Sequence, residues 1–536
     1  MGRHEDAYDV RVRAARIARN RAYEDDHEDN GEEDRYKDAD GNRNFIANYT
    51  KGFRHHPKDN RDAGEVINRD YRDLLEAVES GDPDDFERLT LGLGRKLTNP
   101  QAGFAYDLEG PDPQDTSIRP APKIDGPEAA GEMGELYWMA LCRDVPFGMF
   151  NVDSKIGDAV TDLSTNYSDF PHSPFSTPVV NITRDTIFRG ATAGDLVGPY
   201  ISQFLYKPIQ WGSQKLEQVQ RVVRRNRDYL TDYDSWLRAQ DGEDINVADD
   251  LEGSETNVRH ILTPRDLAYY VHVDALYQAY LGACLILLGD NNKPDPLLPL
   301  QDSTTQIGFG TFGGPHILSL VTEVATRALK AVWFTKWGVH RRLRPEAFGG
   351  LIHRQKNSSS PSPTPILTPP NPPYPINTEI LNSVVLPRIF TDHTSYLLPQ
   401  AFPEGSPTHP SYGAGHATVA GACVTILKAW FDEDEPIKNP KRPKADGTGI
   451  EDAPGLILKV GDELNKVAAN IAIGRNWAGV HYRTDYTESI ILGEKISIGI
   501  LQEQAVCYHR DDPFSCTLTK FNGRKIKFEG TRITEI

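Results

Sequence analysis

At 536 residues the chain exceeds the usual size of one domain, so one large or two fused domains both fit its length. A hydrophobic share of 38% allows a sizeable core, and a formal net charge of −18 argues against a nucleic-acid-binding surface, because phosphate backbones attract clustered Lys and Arg. No window reaches the ~18 consecutive apolar residues of a membrane helix. The polar start MGRHEDAYDV lacks the apolar run of a secretory signal, so the expectation is a soluble protein, cytoplasmic unless exported by another route or after loss of a signal.

Residues 1–60 are strongly charged and lack apolar periodicity; they read as an extended arm, disordered alone or ordered against a partner subunit. An N-terminal helical part, 61–260, shows helical patterns near 64–79, 129–142, 191–205 and 212–240, with insertions rich in Pro, Asp and Gly between them. The C-terminal part, 261–536, is more regular. In PRDLAYYVHVDALYQAYLGACLILLG, Tyr270, Val273, Tyr277, Leu281, Cys284 and Leu288 recur at helical steps. In GPHILSLVTEVATRALKAVWFTKW the stripe is Ile317, Leu320, Val321, Val324, Ala328 and Val332, and Lys336 continues it by one turn. Further helices are expected from near His416, from near Leu456, and from His481 to about Cys507. The stretch Ser358–Pro375, rich in proline, reads as a surface loop or subunit contact, since proline has no amide donor. Near the C-terminus, Asn522-Gly523 between alternating residues signals a hairpin. The fold class expected is mainly α with minor β-hairpins.

Five cysteines, Cys142, Cys284, Cys423, Cys507 and Cys516, are scattered without a CxxC pair. Cys284 and Cys423 fit buried structural thiols, and only Cys507 and Cys516 are close enough to suggest a local disulfide. Gly308-Phe309-Gly310-Thr311-Phe312-Gly313 spells GxGxxG, but LPLQDSTTQI before it is no buried strand, so a helix-entry loop is the better account than a dinucleotide site.

Three distant segments place unusual polar residues at the ends of apolar helices: Lys336 to Glu346, His409 to His416, and Gly474 to Asp485. Read singly, each has an ordinary explanation. Lys336 and Arg344 suit a helix C-terminus, His416 a helix start, and His481 with Asp485 a helix-face pair. Read together, they describe a site for a tetrahedral oxyanion. Two guanidinium groups and an ammonium (Arg344, Arg475, Lys336) supply many directional donors. Gly415 permits close backbone approach at a helix N-terminus. Of the histidines His416 and His481, one can bind the central atom and the other can move a proton. Asp485, one turn past His481, can orient its ring. Asp274 interrupts an apolar stripe and needs a cationic partner if buried; Arg475 is the expected one, against the alternative that Asp274 faces solvent.

The ordered pattern K-x-R-P, then G-H, then R-x-x-x-G-x-H-x-x-x-D resembles the signature shared by vanadium-dependent haloperoxidases and the acid phosphatases related to type 2 phosphatidic acid phosphatases. The resemblance covers about 150 residues, Lys336 to Asp485. Seven residues separate Lys336 from Arg344, one more than is usual outside the algal and cyanobacterial bromoperoxidase branch. His409 also resembles that branch, where chloroperoxidases carry Phe, and Trp333 matches a position near its halide site, although a plain core aromatic is the alternative. Two departures stand out: Ala414 replaces the usual Ser before Gly415-His416, and Gly474 replaces a common Ser before Arg475.

The resemblance implies two four-helix bundles with the site among helix termini, and vanadate as cofactor. Lys336, Arg344, Gly415 and Arg475 would bind its oxygens and His481 would be the metal ligand. His416 would take a proton from hydrogen peroxide, and Lys336 would polarise the oxidant. His409 and Trp333 would shape halide access. The implied activity is oxidation of bromide or iodide by hydrogen peroxide to a hypohalous acid equivalent that halogenates organic substrates. Ala414 removes a hydroxyl donor, which favours iodide and bromide over chloride. The branch forms homodimers or larger homo-oligomers, dodecamers included, and a structural calcium ion occurs in some relatives. The alternatives are an acid phosphatase with His481 as nucleophile and His416 as the acid, and a non-catalytic oxyanion-binding or helical assembly protein.

Overall fold

The computed structural model describes residues 2–21, 27–171, 174–175, 181–245, 250–357, 367–508 and 513–536. At its centre the Gly415–Trp430 helix packs against three others: Arg483–Gln504, Gly314–Phe334 and Val460–Trp477. All four are rich in Ala, Val, Ile and Leu on their shared faces, and these residues form one continuous buried core. The tightest crossing joins Gly415–Trp430 to Arg483–Gln504. A Cβ on Gly421 would lie 2.0 Å from the Ile490 carbonyl oxygen, and one on Gly493 would lie 2.0 Å from that of Thr418. Glycine at both positions lets the two backbones touch. Two of these helices begin, and two end, at the same end of the bundle.

A second helical group gathers around Pro127–Cys142, with Ser154–Thr165, Thr378–Leu381 and Val385–His393 against it. Among the described residues the sheets are small: three antiparallel pairs and one three-stranded sheet. In the latter, Ser515–Thr519 and Lys525–Glu529 form the hairpin expected at Asn522-Gly523, with Gly523 at φ +81°, and Arg532–Glu535 adds a third strand. The fold is mainly α with small β additions, as the sequence led us to expect.

Several local expectations need correction. The stripe from Pro264 to Gly289 is two helices, Pro264–Val273 and Gln278–Gly289, bent by 100°. Asp274 leaves the helix with extended backbone, so Val273 and Tyr277 are exposed although they continue the apolar period. The 191–205 stretch is turns ending in a short 3-10 segment, Gln203–Leu205, because Gly194 and Gly198 take left-handed backbone and Pro199 follows. In 212–240 only Tyr233–Gln240 is helical. Ile209–Trp211 and Gln214–Leu216 instead form a hairpin about Gly212, and Gln220–Arg221 pairs with Val258–Arg259.

The 1–60 stretch is not an arm throughout. Arg3–Asn20 is a surface helix, and Arg21 beyond it bonds Glu503 at 2.6 Å. Phe45, Tyr49 and Phe53 are buried with Trp333, Trp337 and Tyr412 under the candidate site. Cys507 and Cys516 are both free thiols, so the local disulfide does not form. Of the proline-rich stretch, residues 358–366 lie outside those described. No single helix among the described residues is long and apolar enough to cross a membrane.

Candidate active site

The Gly314–Phe334 helix widens at its end into a π turn, Thr335–His340, which carries Lys336. Such a turn accommodates one extra residue and is common at functional positions. Arg341 then takes left-handed backbone, the chain reverses, and Pro345 opens the Pro345–Asn357 helix directly after Arg344. In the third segment, Arg475 is in the last turn of Val460–Trp477. Gly479, at φ +86°, ends that helix, and its missing Cβ leaves room for Gln400, 2.7 Å from where the Cβ would be. The turn presents His481 just before Arg483–Gln504 begins. Gly415 starts its helix against Trp333, whose ring a Cβ would approach to 3.2 Å.

These elements converge on a cavity of about 290 Å³ whose wall includes Trp333, His409, Gly415, His416, Arg475 and His481. Lys336 and Arg344 are fully buried beside it, and Arg344 bonds the wall residues His409 and His481. Lys336 Nζ donates to the carbonyls of Pro410 (2.8 Å) and Ser411 (3.1 Å) and lies 5.7 Å from the Trp333 ring centre. Arg344 donates to the His409 carbonyl (2.9 Å), the Val480 carbonyl (2.8 Å), His409 Nδ1 (2.9 Å) and His481 Nε2 (2.9 Å). Arg475 donates to the Val271 carbonyl at 2.9 Å, and its Nε is buried without a partner.

Among the described residues, none of these three buried cations has a carboxylate within ion-pair distance. The cost shows in their acid–base balance. Burial first, then the Arg344 charge, pushes the Lys336 ammonium well below its ordinary value. Burial pushes Arg344 down to about 10 and lowers Arg475, against the opposing charges of Asp274 and Glu404. His481 and His409 are likewise held neutral, by burial and then by the neighbouring cations. Uncompensated buried charge of one sign is expensive unless a counter-ion occupies the site. A tetrahedral oxyanion fits this donor set; a cation does not.

His481 is fixed in one tautomer. A guanidinium can only donate, so Nε2, facing Arg344, accepts, and Nδ1–H donates to Asp485 Oδ2 at 2.7 Å. Nε2 therefore carries the lone pair available to a ligand, once Arg344 turns to that ligand's oxygens. Asp485 also accepts from Ser411 Oγ, Tyr482 N and Arg342. Asp274 is buried at its side chain, which removes the solvent-facing alternative, but its hydrogen-bond partner is His416 and not the expected Arg475. His416 Nε2 lies 3.1 Å from Asp274 Oδ1, and Arg475 feels Asp274 only through its charge. The break after Val273 makes this pair possible. Trp333 donates Nε1–H to the Thr98 carbonyl (3.1 Å), and its ring centre is 4.8 Å from that of His409, so both stand side by side in the cavity wall.

Sequence reasoning missed Arg342 and Glu132. Arg342 bonds Asp485 (2.9 Å) and Glu132 (2.8 Å) and lies over the Tyr482 ring at 3.7 Å. A usable signal existed: beyond the first turn of the Pro127–Cys142 helix, Glu132 and Glu135 interrupt an apolar run and are both buried. Arg95, His272 and Glu404, also on the cavity wall, left no local pattern. No group of three His, Cys, Asp or Glu side chains that could hold a metal ion occurs among the described residues, so calcium is given no candidate ligand set.

Known proteins are similar to this chain in sequence and in fold. The VCPO second helical-bundle domain family matches residues 391–507. Vanadium-dependent bromoperoxidases are similar along nearly the whole chain: 37% identity for that of Corallina pilulifera and 38% for that of Corallina officinalis, each alignment covering 98% of both chains. That of Ascophyllum nodosum is 34% identical over 91% of this chain and 87% of its own. The solved structure of a second, homohexameric vanadate-dependent bromoperoxidase from Ascophyllum nodosum superposes with a TM-score of 0.87 at 26% identity, covering 99% of this chain and 92% of that one. With relatives above a third identical from end to end, and its fold shared with a solved member, the chain belongs to the vanadium-dependent bromoperoxidase family.

Proposed function

We propose that the protein oxidises bromide or iodide with hydrogen peroxide, using bound vanadate, and releases a hypohalous acid equivalent that halogenates organic substrates. The observation that carries this reading is the set of three buried cations, Lys336, Arg344 and Arg475, with no carboxylate in ion-pair distance among the described residues, around the accepting Nε2 of His481. Lys336, Arg344, Arg475 and the Gly415 end of its helix would hold the vanadate oxygens, and His481 Nε2 would be the protein ligand to vanadium. Bound there, vanadate supplies a Lewis acid that activates peroxide without itself changing oxidation state. His416, backed by Asp274, takes the proton that hydrogen peroxide gives up; Lys336 donates to the oxidant and withdraws charge from it. Trp333 and His409 border the path of the halide. The homohexameric neighbour and the family support a homo-oligomer.

The test is an assay of apoprotein with vanadate, hydrogen peroxide, bromide and a phenol-type dye. Bromination that depends on added vanadate is expected. Hydrolysis of a phosphate ester, inhibited by vanadate and unaccompanied by bromination, would make the protein a phosphatase instead.

A further inference from the structure

The cavity wall holds a third imidazole–carboxylate pair, besides His416–Asp274 and His481–Asp485. His272 Nε2 lies 2.7 Å from Glu404 Oε1, and the two side chains are 23% and 21% exposed. Both are clamped from behind. The His272 ring stacks on Phe402, with centres 3.7 Å apart and planes 13° from parallel. Gly405 follows Glu404 at φ +65°, where a Cβ would fall 1.9 Å from Glu346 Oε2. Glu346 in turn accepts from Ser406 N (2.8 Å) and Lys51 Nζ (2.5 Å), and Lys51 also donates to the Glu404 carbonyl (2.7 Å). The charged and titratable groups that share the cavity with the pair are Arg95, Arg475, His409, His416 and His481, with Asp274 behind His416. Burial would raise the Glu404 carboxyl, but the hydrogen bond and charge of His272 outweigh it and hold the group below its ordinary value.

The proposed chemistry needs a proton delivered from solvent. In the proposed reaction a halide ion, hydrogen peroxide and one proton give hypohalous acid and water. The O–O bond breaks and an oxygen–halogen bond forms. The halide loses two electrons, peroxide oxygen gains them, and one oxygen leaves as water. His416 can redistribute the protons of peroxide, but the additional proton must come from solvent in every turnover.

We propose that His272 and Glu404 form the relay that carries this proton from solvent into the vanadate cavity. The proton passes between Nε2 and Oε1, and from the pair toward His416, so the pair acts through His416 and does not touch the halide. This inference rests on the proposed haloperoxidase activity. Two size-conserving variants test it, His272→Gln and Glu404→Gln, each as vanadate-loaded enzyme beside the wild type. Bromination is followed against pH and against imidazole concentration at fixed ionic strength. Both variants should retain vanadate and a bromide KM within about twofold, lose about tenfold or more in kcat above neutral pH, and regain it as imidazole rises, while the wild type ignores imidazole. If one variant fails to fold, the other carries the same test. An unchanged pH profile, or a loss of kcat that imidazole does not restore, overturns the relay. A wild type that does not brominate overturns the haloperoxidase reading and the relay with it.

Discussion

At the scale of single residues, the site's character comes from burying positive charge without matching negative charge. The hydrogen-bond partners of Lys336, Arg344 and Arg475 are carbonyls and imidazole rings, which accept but do not neutralise. His416→Ala should lower kcat by about a hundredfold or more while leaving vanadate bound; loss of vanadate together with activity would mean that the ring is structural. Ala414 leaves one familiar hydroxyl absent, and its amide instead donates to Ser489 Oγ at 2.7 Å. Ala414→Ser should tighten vanadate binding by about five- to tenfold, the worth of one added hydrogen bond; equal affinity in equilibrium titration would show that the hydroxyl finds no partner there. The key residues were legible in the sequence because they cluster in three short segments around obligatory glycines and a proline. Arg342 and Glu132 were passed over: Arg342 stands inside the first segment but off its fixed positions, its contact with Glu132 spans 210 positions, and the buried glutamates of the Pro127–Cys142 helix were the one sequence signal for it.

At the scale of elements, helix termini do the positioning. The Pro264–Val273 helix ends in three contacts with the site: the Val271 carbonyl to Arg475, His272 on the cavity wall, and Asp274 to His416. The sequence hid this end because the apolar period runs through it, and Val273 and Tyr277 keep the spacing while facing outward. In the same way, Leu216, Val219, Val222 and Val223 imitate a helical face, whereas the chain there turns at Gly212 into short strands. Periodicity records which residues are apolar, not where a cap or a buried carboxylate breaks the helix. The close crossing at Gly421 and Gly493 makes a sharper prediction. Gly493→Ala must push two backbones apart and should cost about 1–3 kcal/mol or more, read as a lower denaturant midpoint. An unchanged midpoint would contradict the contact.

At the scale of the whole molecule, buried neutral histidines set a limit in acid. His353, which accepts from Tyr396 N at 3.1 Å, is pushed by burial down to about 4, and His340 to about 3. The unfolded chain takes up these protons near the ordinary histidine value of about 6.5, before the folded chain does. Stability present above that pH is therefore lost as pH falls toward 4. Calorimetric Tm should decline over this window, and His353→Gln should decline less steeply; equal slopes would remove His353 from the account. The helical class and the order of the main helices were readable from composition and periodicity. The packing of Phe45, Tyr49 and Phe53 beneath the site was not, because charged neighbours mask three aromatics spaced four apart.

The central claim is that the bundle's end is an oxyanion site completed by His481, and equilibrium titration of apoprotein with vanadate tests it most directly. The wild type should bind one vanadate per chain, with inorganic phosphate competing, and vanadate should raise the Tm by relieving the buried positive charge. His481→Ala should lose retention of vanadate while remaining folded. Unchanged vanadate affinity in His481→Ala, or a wild type whose Tm is indifferent to both anions, would contradict the claim.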